Sequence, residues 1–215
     1  MSKVHYEQVL PGDIEKRSFE IISRELGERR LKAENEAVIK RVIHTTADFD
    51  YADTLVFSPH VVNNTVEILR QGGVTLVTDT RMAFSGISKP ALAKLGGQIH
   101  CFMSDEDVAR MAKQQGTTRA VASMDKACML SGNLIFAIGN APTALIRLYE
   151  LIGENRIKPR LIIGVPVGFV NVVEAKELIM QTEIPYIVAR GRKGGSNVAA
   201  AIVNALLYQA TGRTL

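Results

Sequence analysis

Among the side chains able to exchange a proton near neutral pH, His44 has the most suggestive neighbours. It follows Lys40 and Arg41 by one helical turn and precedes an acidic stretch, Asp48, Asp50 and Asp53. On a helical wheel it lies about 100° from Ile43, beside the apolar stripe rather than on it. That setting suits a general acid or base. A structural histidine is the alternative reading. The other histidines, His5, His60 and His100, show no metal-ligand spacing with Cys101 or Cys128, so no protein-held metal is expected. No GxGxxG follows a strand, the last loop lacks GxxxxGK[ST] spacing, and there is no GxSxG. Dinucleotide, phosphate-loop and nucleophile-elbow chemistry therefore find no support.

Anion binding is better represented. Three glycine-containing loops run into helices: Gly139-Asn140-Ala141-Pro142-Thr143, Gly164 through Phe169, and Arg190-Gly191-Arg192-Lys193-Gly194-Gly195-Ser196. Helix starts offer free N–H groups and positive potential, which suit carboxylates or phosphates. Asn140, Arg192 and Lys193 are the binding candidates there. Glycine and proline also make tight turns with no ligand involved. Ser18 interrupts an apolar stripe of Ile14, Ile22 and Leu26. Its hydroxyl either bonds back to its own helix or faces a ligand.

These residues need elements to position them. Asp13 sits where a helix would be capped, and the stripe after it predicts a helix. A second helix is predicted from Asn35 to Thr46, with Ile39, Val42, Ile43 and Thr46 buried. Strands are predicted at Leu55–Phe57, Val74–Val77, Ile99–Met103, Leu134–Ile138, Leu161–Val165 and Tyr186–Ala189. Helices separate them, with Ser88, Ser104 and Ser196 at three of their starts and one spanning Thr118 to Leu130. Six short apolar strands alternating with helices imply an α/β chain, a three-layer α/β/α domain around a mostly parallel sheet, with an N-terminal helical extension. No linker or repeat divides residues 1–215, which read as a single domain.

Open sheets of this kind bind ligands beyond the carboxyl ends of their strands. The loops expected there include Ser58-Pro59, Thr78 through Met82, and the three glycine-containing loops.

Composition is ordinary for a globular chain: 215 residues, 47% hydrophobic, 22% charged, formal net charge +4. The basic excess is small and scattered, so nucleic acid is not expected as a partner. No apolar run suggests a membrane span. Met1 through Glu7 has no apolar signal core, and a cytoplasmic protein is expected, with Cys101 and Cys128 as reduced core thiols.

Nearly the whole chain resembles the precorrin-8X methylmutases and their cobalt-precorrin-8 counterparts in cobalamin biosynthesis. The matching segments are Ile14-Glu15 with Ser18 through Ile22, Val42-Ile43-His44, Phe57-Ser58-Pro59, and then Asp79, Met82, Gly86 and Thr118-Arg119. They continue with Ile138 through Leu145, Gly164 through Val170, Glu174-Ala175-Lys176-Glu177 and Arg190 through Ser196. Ala175 departs from the family's serine. The resemblance implies an isomerase that moves a methyl group between adjacent carbons of ring C of a tetrapyrrole, giving hydrogenobyrinic or cobyrinic acid. It implies His44 as proton donor and acceptor, substrate contacts at Ser18, Ser88 and Arg119, and a homodimer. No cofactor is implied, because any cobalt is held by the substrate macrocycle. The stretch Val38 through Asp50 is closer to the cobalt branch. A non-catalytic corrinoid-binding carrier is the rival that needs the same anion sites but not His44. An S-adenosylmethionine-type methyltransferase is disfavoured by the missing glycine fingerprint.

Overall fold

The computed structural model describes residue 7 and residues 9–213. The stretch Met1–Tyr6, on which the expectation of no export signal rests, lies outside the described residues, and His5 with it. Runs rich in Val, Ile and Leu form the strands β1 (Leu55–Phe57), β2 (Val74–Thr78), β3 (Gln98–His100), β4 (Asn133–Ile138), β5 (Leu161–Gly164) and β6 (Tyr186–Ala189). They build one six-stranded sheet in the order β1-β6-β5-β4-β2-β3. Every pair is parallel except β1 with β6. In the centre, Ile135, Phe136, Ile162 and Ile163 are buried. Both faces are covered, which is why these strands read as continuous apolar runs rather than alternating ones.

The helices are α1 (Ile14–Leu26), α2 (Ala33–Thr46), α3 (Tyr51–Thr54), α4 (Val61–Gln71), α5 (Arg81–Gly86), α6 (Lys89–Lys94), α7 (Glu106–Gln115), α8 (Arg119–Ala127), α9 (Pro142–Gly153), α10 (Val172–Met180) and α11 (Ser196–Ala210). One apolar core joins α1, α2, α4, α6 and α11 to the sheet. A second joins α7 to α10 to its other face. The expected three-layer α/β/α arrangement with N-terminal helices is what the chain forms. No helix among the described residues is long and apolar enough to cross a membrane.

Several local expectations need correction. Strand β3 stops at His100, and Phe102–Ser104 forms a short 3-10 turn. Ser104 belongs to that turn, so Asp105 stands at the cap position of α7. Helix α8 ends at Ala127, before Leu130. Short α3 and α5 were not anticipated because neither is long enough to show a period. Thr80 starts α5 by accepting a hydrogen bond from the Ala83 N–H at 3.0 Å. Ile14 is half exposed and Phe19 takes its place in the core. Cys101 is buried as expected, whereas Cys128 is only partly so.

One correction changes which residues share a rim. The chain reaches β1 from α3, and Leu55 pairs with Ala189. Strand β1 therefore begins at the rim where the parallel strands end. Ser58-Pro59 leaves at the opposite end of the sheet, where the Ser58 hydroxyl accepts from the Tyr186 N–H at 3.0 Å. The segment before β1 takes its place, and the Arg190 N–H donates to the Thr54 carbonyl at 2.8 Å.

Candidate functional site

The rim at the carboxyl ends of β2, β4, β5 and β6 is held together by side chains at the ends of strands. Asp79, just past β2, is 1% exposed. Its carboxylate accepts the N–H groups of Gly139, Asn140 and Ala141 at 2.9, 2.8 and 2.7 Å. Burial raises this carboxyl from its ordinary value, and the backbone donors pull the other way. The turn they close lies directly against the start of α11. A Cβ on Gly139 would stand 2.6 Å from the Ser196 Cα, so only glycine fits there. The Ser196 hydroxyl lies 2.7 Å from that of Thr80, which links β2's end to α11.

The β6–α11 loop is fixed equally firmly. The Gly195 N–H donates to the Val165 carbonyl at 2.8 Å. Gly194 has φ +158°, and a Cβ there would meet the Val165 oxygen at 2.1 Å. From α10, the buried Lys176 ammonium donates to the carbonyls of Gly191 and Lys193 at 2.7 and 2.8 Å. Burial lowers its pKa to about 8.

The predicted residues fall into three groups on this frame. Asn140, Arg192 and Lys193 lie on the rim with exposed side chains. Arg119 joins them as the first residue of α8, because its cap Thr118 reaches the Thr143 hydroxyl of α9 at 3.4 Å. Arg119 is exposed and forms no ion pair among the described residues. Arg192 lies over the ring of Phe169, 5.4 Å from its centroid. Phe169 is 83% exposed, so apolar surface lies beside Arg192, and Val170 at 75% and Met82 at 69% are exposed as well.

His44 forms the second group with Ser18. It is exposed on the last turn of α2, its ring stacked on Phe19 with centroids 5.2 Å apart. The two cations before it are both engaged. Lys40 pairs with Glu36, and Arg41 pairs with Glu15 while its guanidinium lies over Phe19 and Tyr208. Helix α2 ends at Thr46 with Ala47 as its left-handed cap, and the next residue, Asp48, accepts a hydrogen bond from Lys193 at 2.6 Å. Asp50 accepts another at 2.7 Å. His44 is thereby tied to the rim through one turn of helix and an ion pair. The Ser18 hydroxyl donates to the Ile14 carbonyl at 2.9 Å, within its own helix.

Ser88 stands apart. It caps α6 through the Ala91 N–H at 3.3 Å, and its own N–H donates to Asn204 at 2.8 Å. Asn204 is about two turns along α11 from Ser196, roughly 12 Å from the rim along the helix axis.

Sequence reasoning missed Asp79, Thr80 and Lys176 as builders of this site. Asp79 could have been found, since an acid directly after a strand that enters a crossover stands beside its neighbours' turns. Lys176 gave no such signal, because a lysine on a helix is nearly always solvated. Among the described residues no group of three or more His, Cys, Asp or Glu side chains is arranged to hold a metal ion.

The chemistry available here is binding of several carboxylates beside an apolar surface, with one exposed imidazole at its edge. A family model described as precorrin-8X methylmutase matches residues 13–209. A cobalt-precorrin-8 methylmutase of Salmonella typhimurium is 48% identical over 211 residues, covering 95% of this chain and 98% of its own. A precorrin-8X methylmutase of Pseudomonas aeruginosa is 35% identical over 195 residues, covering 90% and 93%. A crystal structure of a precorrin-8X methylmutase from Thermus thermophilus superposes with a TM-score of 0.85 at 34% identity, covering 94% of this chain and all of that one.

The tether at His44's end of α2 has a pH signature. Lys193 holds the Asp48 carboxyl below its ordinary value. The carboxylate's contribution is complete above about pH 4 and is lost as pH falls through the depressed value. Asp48, then Asp50, hold the Lys193 ammonium above its ordinary value, so its contribution is lost only as pH rises past about 10.4 and through the raised value. The side-chain carboxyl carbon resonance of Asp48 should therefore move only on acidification below about pH 4. In Lys193→Ala the acid midpoint of Asp48 should rise to the ordinary range near 4. An unchanged midpoint would mean that the ion pair does not form.

Proposed function

The chain belongs to the precorrin-8X methylmutase family, isomerases of cobalamin biosynthesis, and we propose that it moves a methyl group between adjacent ring C carbons of cobalt-precorrin-8 with His44 as the proton donor. The cobalt form is favoured because the curated relative of higher identity bears the cobalt name, and the segment around His44 resembles that branch. The metal then arrives within the substrate.

A sigmatropic methyl shift needs no redox partner and no covalent nucleophile. The migrating bond forms as the old one breaks within the same π system. What the protein supplies is a held macrocycle and a biased electron distribution. Arg119, Arg192, Asn140 and the helix starts of the rim meet the peripheral carboxylates. Met82, Phe169 and Val170 offer apolar surface to the ring. His44 gives a proton to a ring nitrogen, which draws electron density toward it and lowers the barrier, and recovers the proton when the product is released. General acid help of this kind is worth roughly 10²- to 10⁴-fold, with positioning adding more. The observation that carries this reading is the exposed imidazole at the edge of a rim whose Arg119 and Arg192, without ion pairs among the described residues, suit a polycarboxylate. Ser18, beside Phe19, and Ser88, on the flank of α11, extend the contacts. Since Ser88 lies away from the rim, a twofold-related second copy supplies a natural second wall, and the working form is a homodimer.

Replacing His44 separates an isomerase from a carrier. His44→Ala should lower kcat by about 100-fold or more and leave Kd for the substrate near wild type, because the side chain is exposed and the affinity rests on carboxylate contacts. Normal turnover of cobalt-precorrin-8 by this variant would transfer the proton step to another group. Binding without turnover in the wild type, followed by absorption spectroscopy, would favour the carrier.

Arg119→Ala should show the opposite split. Its Kd should rise about tenfold, on the order of 1.4 kcal/mol, and the salt dependence of binding should weaken. Salt-insensitive wild-type affinity would remove Arg119 from the site. Sedimentation equilibrium at micromolar concentration should give twice the 23.5 kDa chain mass, and a single-chain mass would exclude the dimer.

A further inference from the structure

Lys176 is a lysine where lysines are seldom found. It is 0% exposed on α10, and among the described residues no carboxylate lies within ion-pairing distance of it. The neighbouring Glu177 faces outward to Arg190 at 3.0 Å. A buried ammonium without a counter-ion carries a desolvation cost that an apolar side chain of the same length would avoid. The two acceptors that offset this cost are both main-chain carbonyls of one loop, those of residues 191 and 193. The carbonyl between them, of Arg192, accepts the Gly168 N–H at 3.2 Å. Three successive carbonyl oxygens are thus occupied by the protein interior and the adjoining loop. An approaching carboxylate is repelled by carbonyl dipoles and attracted by cations. With those oxygens occupied, the loop offers the Arg192 guanidinium with less competing negative potential.

We propose that Lys176 is a positioning residue for substrate recognition: by binding the Gly191 and Lys193 carbonyls from beneath, it holds the β6–α11 loop in the conformation in which Arg192 meets a peripheral carboxylate of the macrocycle. This rests on the reading that the loop receives carboxylates. At neutral pH the ammonium is still mostly charged, since burial brings it only to about 8. Lys176 touches no substrate atom and acts through the loop alone.

The test is a double-mutant cycle between Lys176→Met and Arg192→Ala, read as Kd for the metal-free product hydrogenobyrinic acid by absorption titration and as kcat and KM with cobalt-precorrin-8. Lys176→Met should raise Kd and KM about tenfold and keep kcat within threefold of wild type. The double variant should bind within threefold of the weaker single variant, because both changes remove one contact. A residue that only supports the fold would lower the folded fraction and leave the Kd of folded protein unchanged, which would overturn the proposal. So would losses that multiply in the double variant. If Arg192→Ala alone leaves Kd unaltered, the carboxylate reading of the loop falls, and the role of Lys176 with it. Lys176→Gln, which keeps an uncharged donor, is read in the same way should Lys176→Met fail to fold.

Discussion

Asp79 sits where a charge is expensive, and its three backbone donors all come from the turn that leaves β4. Each hydrogen bond to a charged acceptor is worth about 1.5–3 kcal/mol, comparable with the several kcal/mol needed to bury one ion. The exchange is favourable only if all three donors are present, so the turn has one shape. That shape puts Gly139 in van der Waals contact with Ser196, which fixes where α11 starts. The start of α11 in turn fixes the glycine pair 194–195 against Val165 and the basic loop above it. The rim is therefore a linked set of close approaches, with one buried carboxylate at its origin.

The sheet and its flanking helices were legible because burial on both faces writes itself as short Val, Ile and Leu runs. The loops entering α9 and α11 were legible from their glycines. The sense of β1 was not, since three residues carry no information on which way they pair, and Ser58-Pro59 was assigned to the wrong end of the sheet for that reason. Ser18 left two readings open from its position on the α1 stripe, and its hydroxyl takes the backbone bond. Lys176 and Asp79 stood only as members of matching segments, and their burial went unread because a charged side chain advertises exposure. Only the partners, 15 and more positions away in sequence, reveal that each is inside.

The positive charges of the rim divide by what they touch. Lys193 is engaged by two aspartates and Arg190 by Glu177. Arg119 and Arg192 face solvent without such partners among the described residues, and Arg192 rests on an exposed ring. The first two fasten segments to one another, while the second two carry the uncompensated potential.

Helix α11 packs against α2, α4 and α5 and buries eleven of its fifteen residues. Its Tyr208 ring receives the Arg41 guanidinium of the helix that carries His44. Thr46 and Ser196 stand 150 positions apart, and α11 is the final element of the described chain. During translation at about 5–20 residues per second, the His44 helix waits roughly 8–30 s for the surface it packs against. Until then its apolar stripe of Val38, Ile39, Val42 and Ile43 has no permanent cover on that side. Such long-range closure slows folding and leaves the growing amino-terminal half dependent on transient shelter. The helix that carries His44 is thus among the first parts made and among the last to be assembled.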